Sequence, residues 1–367
     1  MKKSFANAIT LYLSFLLPFS LAMPFVPLFI VSNLGLSLFQ ALLLYAVTFL
    51  GVVALLFLVK AVDSRVAFVC SGLAFFLHFL LLAFFPSWLG LVAAFFLFGF
   101  LIVFFWGVYN CIFFSLPTSQ GNATSSAVYF LVPKLLAIVL PLAGGLAAIY
   151  FGLSALFAIA ALLSLGLSLA GLLLPSRKFD FSLGKSLENA KGFRTLVFFE
   201  GWISASGFFL IPLASVYFFP KPLDLGLFTA VFSLSSLAAM FFLAKYSDSN
   251  KTRKKYVFPL LALLLLSIAL ASMAKNPFEW AAASLAFGFL FTLANPLFLA
   301  VVLDKKAKID STMASRELFL NLGRLSCAVT SLGLLLAFQS NSALIVLPSA
   351  FGILFYSIVL HTKKWVL

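Results

Sequence analysis

Charge is scarce in this chain, and acidic charge most of all. Ten Asp and Glu stand against 24 Lys and Arg among 367 residues, and charged residues make up 9% of the total. A soluble globular domain carries about 25%, so a water-facing globule is excluded. Histidine occurs twice (His78 and His361) and cysteine three times (Cys70, Cys111 and Cys327). Neither type clusters. With no C-x-x-C and no H-E-x-x-H, the chain offers no disulfide framework and no metal site, and the cysteines read as small buried apolar residues. The absence of a G-x-x-x-x-G-K-[ST] loop excludes ATP hydrolysis on this chain. No cofactor is expected, and an enzyme is not, because no catalytic cluster of His and Asp is in view.

What the chain has instead is long apolar runs. Hydrophobic residues reach 64%, and the mean hydropathy is +1.18. Residues 4–59, 66–133 and 135–176 are charge-free apart from the interruption at Lys134. A spanning helix needs about 20 apolar residues, so these runs hold six spans, with Lys134 inside the fifth. Shorter segments near 195–219, 225–244, 256–274, 278–303, 313–337 and 340–361 supply six more. The fold class expected is all-α integral membrane with twelve transmembrane helices, since only helices or closed barrels satisfy the backbone in lipid. Barrel strands would alternate in polarity, and these runs do not. Lys2 and Lys3 precede an apolar stretch reaching Val59. That is far beyond the 7–15 residues of a signal peptide, so it reads as a retained first span.

The net charge of +14 is distributed topologically. With the N-terminus inside, nineteen of the 24 basic residues fall in cytoplasmic segments, and only Lys221 and Lys275 fall outside. That is the positive-inside pattern. It implies a multi-pass protein of the cell membrane with both termini cytoplasmic, a lipid bilayer as its surroundings, and no role for nucleic acid. Residues 175–194, with Pro175, Gly184, Gly192 and a run of charges, read as a solvated cytoplasmic connector with room for a short interfacial helix. It separates an N-terminal half (1–174) from a C-terminal half (195–367), each with six spans.

The halves echo one another. Lys60-x-x-Asp63-Ser64 recurs as Lys245-x-x-Asp248-Ser249, and Phe98-Gly99-Phe100-Leu101 recurs as Phe287-Gly288-Phe289-Leu290. Pro27-Leu28 recurs as Pro212-Leu213, and Lys134 has a counterpart in Arg324. All four lie in the same order at offsets of about 185 to 190. Six spans per half make this a parallel repeat, related by an axis along the membrane normal, and transporters built this way bind substrate between their halves.

Twelve spans in two parallel sixes, with a loop bearing Asp and basic residues after the second span of each half, resemble the major facilitator superfamily. Its loop pattern, G-x-x-x-D-[RK]-x-G-[RK]-[RK], is kept in part by Asp248 with the basic cluster through Arg253 to Lys255, and by Asp63 with Arg65; the glycines are missing. The resemblance implies that Asp63, Arg65, Asp248 and Arg253 are gating residues latching the halves on the cytoplasmic side. Leu140-Pro141-Leu142-Ala143-Gly144-Gly145 is similar to a motif of the family's drug antiporters, with Leu140 in place of its first glycine. Physically, Pro141 bends the helix and the glycines allow close packing.

Ionisable residues inside spans are costly and mark function by default. Lys134 and Arg324 sit near mid-depth of corresponding spans, Glu200 lies about a turn and a half into span seven, and Glu317 is read as opening span eleven. Glu317, Asn321 and Arg324 follow i, i+4, i+7 spacing, one helix face. Each cation could serve an anionic substrate or simply pair with a neighbouring acid; either acid could carry a proton. Span four adds Trp106, Tyr109 and Asn110 on one face with Phe113, and the family resemblance implies that spans one, four, seven and ten line the cavity. The expectation is a monomeric secondary transporter that moves a small organic solute, anionic or amphiphilic, by alternating access with proton coupling. A multidrug-type efflux antiporter, a membrane sensor and a lipid-handling protein are the alternatives.

Overall fold

The computed structural model describes residues 2–115, 122–182, 184, 187–188, 190–250, 254–303, 309–338 and 342–362. Among the described residues the long helices are, in chain order, α1 (Asn7–Asn33), α2 (Leu38–Leu58), α3 (Ser64–Phe84), α4 (Trp88–Phe114), α5 (Asn122–Phe151), α6 (Leu153–Leu172), α7 (Arg194–Phe218), α8 (Pro222–Asn250), α9 (Lys254–Ser272), α10 (Pro277–Leu303), α11 (Ile309–Ala337) and α12 (Ser342–Thr362). Ten are long and apolar enough to cross a membrane, while α8 and α9 contribute shorter apolar stretches, Pro222–Leu237 and Tyr256–Ser272. The chain is a multi-pass membrane protein. Side chains such as Leu50, Leu58, Leu89 and Leu173 face outward, as lipid contact requires.

Helix starts are written locally. Ser37 and Gln40 form a reciprocal capping box at α2, and the Ser87 hydroxyl accepts from the Gly90 amide at α4. Each arrangement satisfies amides that the helix itself cannot.

The packing repeats at an offset of six helices. In the first half α1 packs on α5 and α6, α2 on α4, and α3 on α4 and α6. In the second, α7 packs on α11 and α12, α8 on α10, and α9 on α10 and α12. The halves meet through α2 on α11 and α5 on α8, which is one contact made twice under the same shift. The repeated Phe-Gly-Phe-Leu motif explains part of this. A Cβ on Gly99 of α4 would lie 2.5 Å from the Thr48 carbonyl of α2, and one on Gly288 of α10 would lie 2.4 Å from the Phe232 ring of α8. The same device joins α5 to α1, where a Cβ on Gly144 would lie 2.2 Å from the Leu21 carbonyl, and α11 to α7, where one on Gly201 would lie 2.3 Å from the Leu320 carbonyl. Small residues substitute for a hydrophobic driving force that lipid does not supply. Gly145 likewise lies against Pro222 of α8, so the glycine pair after Pro141 is a packing site.

Two sequence expectations are corrected. The connector is not simply solvated. β2 (Lys178–Asp180) pairs antiparallel with β1 (Ala61–Asp63), Val62 opposite Phe179, and Phe179 and Phe181 are buried. Phe181 packs its ring against Gly107 of α4. Nor does Glu317 open span eleven. The helix starts two turns before it, at Ile309, because the polar segment from Asp310 to Arg316 continues the helix inside the bundle, where Ser311, Thr312, Ser315 and Arg316 are buried.

Candidate functional site

A cavity of about 260 Å³ lies between the halves, lined by α1, α2, α5, α7 and α8. Its walls are mainly apolar, with Leu16, Phe19, Met23, Phe208, Ile211, Phe228, Phe232 and four prolines, and they include the hydroxyls of Ser20, Tyr45, Thr229 and Ser233. Helix irregularities make the room. In α7 the stretch Ser206–Leu210 is π-helical, an arrangement frequent at functional sites, and it carries Gly207 and Phe208 into the wall. In α5, Pro133 and Pro141 interrupt the backbone ladder on either side of the cavity.

Lys134 supplies the only charge in that lining. Its Nζ lies 5.4 Å from the centre of the Phe232 ring. Among the described residues it has neither a hydrogen bond nor an ion pair. A cation–π contact is worth about 0.5–2 kcal/mol, less than the several kcal/mol of desolvating a cation. Arg324, its counterpart, does not join it. The Arg324 guanidinium stacks on Phe208 at 4.8 Å, and of the two only Phe208 lines the cavity. Its Nε donates to the Ser204 hydroxyl at 3.0 Å and its Nη1 to the Asn321 side-chain carbonyl at 3.2 Å.

The acids belong to a second, buried assembly nearer the ends where α7 and α11 begin. Arg316 of α11 donates to the Glu200 carboxylate of α7, and its Nη1 lies 3.7 Å from Glu317. Glu317 accepts from Asn110 Nδ2 of α4 at 3.0 Å and from Asn321 Nδ2 at 3.4 Å. The Tyr129 hydroxyl of α5 then donates to Asn110 Oδ1 at 2.6 Å, and the Tyr12 hydroxyl of α1 to the Tyr129 carbonyl at 3.3 Å. The chain of contacts therefore runs from α1, α4 and α5 of one half to α7 and α11 of the other. Glu200 and Glu317 balance Arg316 and Arg324 in formal charge, so the assembly is neutral as a whole.

Of the aromatic face on α4, Asn110 hydrogen-bonds into this assembly, and the rings pack against its tyrosines. Trp106 and Tyr109 build the wall beside it. Tyr109 stacks on Tyr12 at 4.7 Å, and Trp106 meets Phe15 edge-on at 5.1 Å. The π-helical stretch Ile102–Gly107 sets their direction.

The first-loop residues for which the resemblance implies gating, Asp63 and Arg65, lie apart from both sites. Asp63 caps α3, accepting from the Arg65 amide at 2.9 Å and the Val66 amide at 3.3 Å, and it also accepts from the Ser176 hydroxyl. The Ser176 hydroxyl, with those amides, holds its carboxyl below the usual carboxylate range. The Arg65 guanidinium donates to the Leu174 carbonyl at 3.1 and 2.9 Å. Both residues thus tie the loop after α2 to the segment after α6. Asp248 lies in the helical backbone of α8, and Arg253 lies outside the described residues.

Arg316, Tyr129, Tyr12 and Ser204 carry much of the site's connectivity and were not singled out by sequence. One signal was available for Arg316. Glu200 is the seventh residue of α7 and Arg316 the eighth of α11. At 1.5 Å rise per residue, an acid and a base enter the bundle to the same depth on two helices that pack together.

Comparison with known proteins places these features in a family. A family model described as Major Facilitator Superfamily matches residues 8–326. Among solved structures, the crystal structure of the human organic anion transporter MFSD10 (TETRAN) is similar to this chain with a TM-score of 0.71 at 13% identity, covering 97% of this chain and 98% of that one. No curated protein matches in sequence.

Proposed function

The chain belongs to the major facilitator superfamily, a family of membrane transporters, and from that premise we propose a secondary active transporter that moves a small organic anion by alternating access. The observation that carries this reading is the cavity between the halves, walled by apolar side chains and charged only at Lys134. A solute held between two rocking halves meets each side of the membrane in turn. The structural neighbour's description as an organic anion transporter agrees in sign with the lysine.

Proton coupling is assigned to Glu200 and Glu317. Each is buried among cations and amides that a protonated carboxyl would need less. Taking up a proton would release Arg316 or Asn110 and so loosen one half from the other. The transporter works as a monomer in the cell membrane with both termini cytoplasmic, as the basic loops imply.

Purified protein in proteoliposomes tests this. Anion uptake should rise several-fold when an inward proton gradient is imposed and should lose that response in Glu317→Gln or Glu200→Gln. Uptake indifferent to the gradient in the unaltered protein would remove the coupling assignment. No uptake of any organic anion, with or without a gradient, would remove the transport reading.

A further inference from the structure

Four of the five charged groups of the cavity and the buried assembly cancel. Glu200 and Glu317 answer Arg316 and Arg324, and Arg324 donates from Nε to Ser204 and from Nη1 to Asn321, over the Phe208 ring. Lys134 is left over. Its ammonium is the single charge in the cavity wall, and it has only the face of Phe232 for company among the described residues.

A compact ammonium serves one anionic group, whereas a guanidinium fork would grip a carboxylate with two parallel bonds. Most of the rest of the wall is hydrocarbon, including Leu16, Phe19, Phe208, Ile211 and Phe228, with the hydroxyls of Ser20, Tyr45, Thr229 and Ser233 among them and no second charge. A second charge on the ligand would meet no partner there, and burying it unpaired is prohibitive. The volume of about 260 Å³ falls below the roughly 300–1,000 Å³ of drug-sized sites.

Resting on the transport reading above, we infer that the ligand is a small amphiphilic monoanion, a monocarboxylate with a compact apolar body. Its charge sits on Lys134 and its body lies between Phe19, Phe208 and Phe228. Such a molecule arrives either from water, as a short aryl or alkyl carboxylate, or from the bilayer, as a fatty acid; the headgroup chemistry is the same.

Ligand-induced thermal stabilisation of the full chain in nanodiscs separates these cases. Benzoate and octanoate should stabilise the protein. Terephthalate, with two charges, and benzamide, with none, should bind about tenfold or more weakly. Lys134→Met should lose the benzoate response by a similar factor, and Lys134→Arg should retain part of it. Palmitate binding more tightly than octanoate would assign the source to the bilayer, and the reverse order to water. Terephthalate binding as well as benzoate overturns the inference, as does an undiminished benzoate response in a folded Lys134→Met protein. The comparison of ligands on the unaltered protein decides the matter even if that variant fails to fold. Binding without uptake into proteoliposomes would leave the ligand class standing and count against transport instead.

Discussion

The Asn110 side chain of α4 donates to the Glu317 carboxylate of α11 at 3.0 Å, a direct polar bond between the two halves of the bundle. Cys111 lies next to it, fully buried, its sulfur 4.0 Å from the Asp310 carbonyl on the same facing helix. Hydrogen bonds to charged groups contribute about 1.5–3 kcal/mol, so Asn110→Leu should shift the bundle toward opening at this end. In a Cys70→Ala/Cys327→Ala background, thiol labelling of Cys111 should rise by roughly tenfold or more. Labelling no faster than in the parent would show that this bond does not hold the halves together.

The Glu200–Arg316 pair should behave as a unit. Breaking a buried pair from one side costs about 3–5 kcal/mol, because the remaining charge is stranded, whereas apolar replacement of both partners is often near neutral. Glu200→Leu and Arg316→Leu should each lower the thermal midpoint strongly, and the double variant should recover most of the loss. Additive losses across the cycle would mean that the two residues act independently. Glu317, 3.7 Å from Arg316, is expected to soften the Glu200→Leu effect relative to Arg316→Leu.

Helix approach gives a prediction with opposite signs. A methyl at Gly323 would stand 2.0 Å from the Phe198 carbonyl, and one at Gly201 would stand 2.3 Å from the Leu320 carbonyl. Gly323→Ala and Gly201→Ala should therefore destabilise by about 1–3 kcal/mol through overpacking. Gly166, within α6, has nothing near its missing Cβ. Gly166→Ala should be neutral or stabilising by about 0.5–1 kcal/mol, since alanine loses less entropy in a helix. Thermal unfolding in detergent ranks the three. A ranking with Gly166→Ala lowest would contradict the packing assigned here.

Asp63 contributes a cap whose worth depends on pH. Its carboxyl is held below the usual range by the Ser176 hydroxyl and by amides of α3, so folding favours the ionised form. The contribution is then present in full above the ordinary carboxylate value, near pH 4, and is lost as pH falls through the lowered native value. Asp63→Ala should cost ~1 kcal/mol at neutral pH. The gap between variant and parent should hold from pH 7 to about 5 and shrink below about 4. A gap that widened on acidification would reverse the sign of this argument.

The fold was readable because lipid writes it in composition. Charge-free runs fix the spans, and the recurrence of Phe98-Gly99 as Phe287-Gly288 marks equivalent helix contacts, α4 on α2 and α10 on α8. Mid-depth charge picked out Lys134 and Arg324, and helical spacing joined Glu317 to Asn321 and Arg324. Spacing cannot say which neighbour a side chain meets. Arg316 and Glu317 are adjacent in sequence yet point to different partners, Glu200 and Asn110. The connector is harder to read: Lys178-Phe179-Asp180-Phe181 alternates with period two, the sign of a strand, but four residues among charges, Pro and Gly fit a solvated loop equally well.

That strand has a mechanical consequence. With β2 sewn to β1, and Phe181 seated on Gly107, residues up to 181 are fastened to the first half, while β2 also touches α11 of the second. The stretch 182–193 lies between that strand and α7. A chain divided for co-expression should accordingly be cut after residue 182. A cut at 175 would tear an edge strand from the half it belongs to.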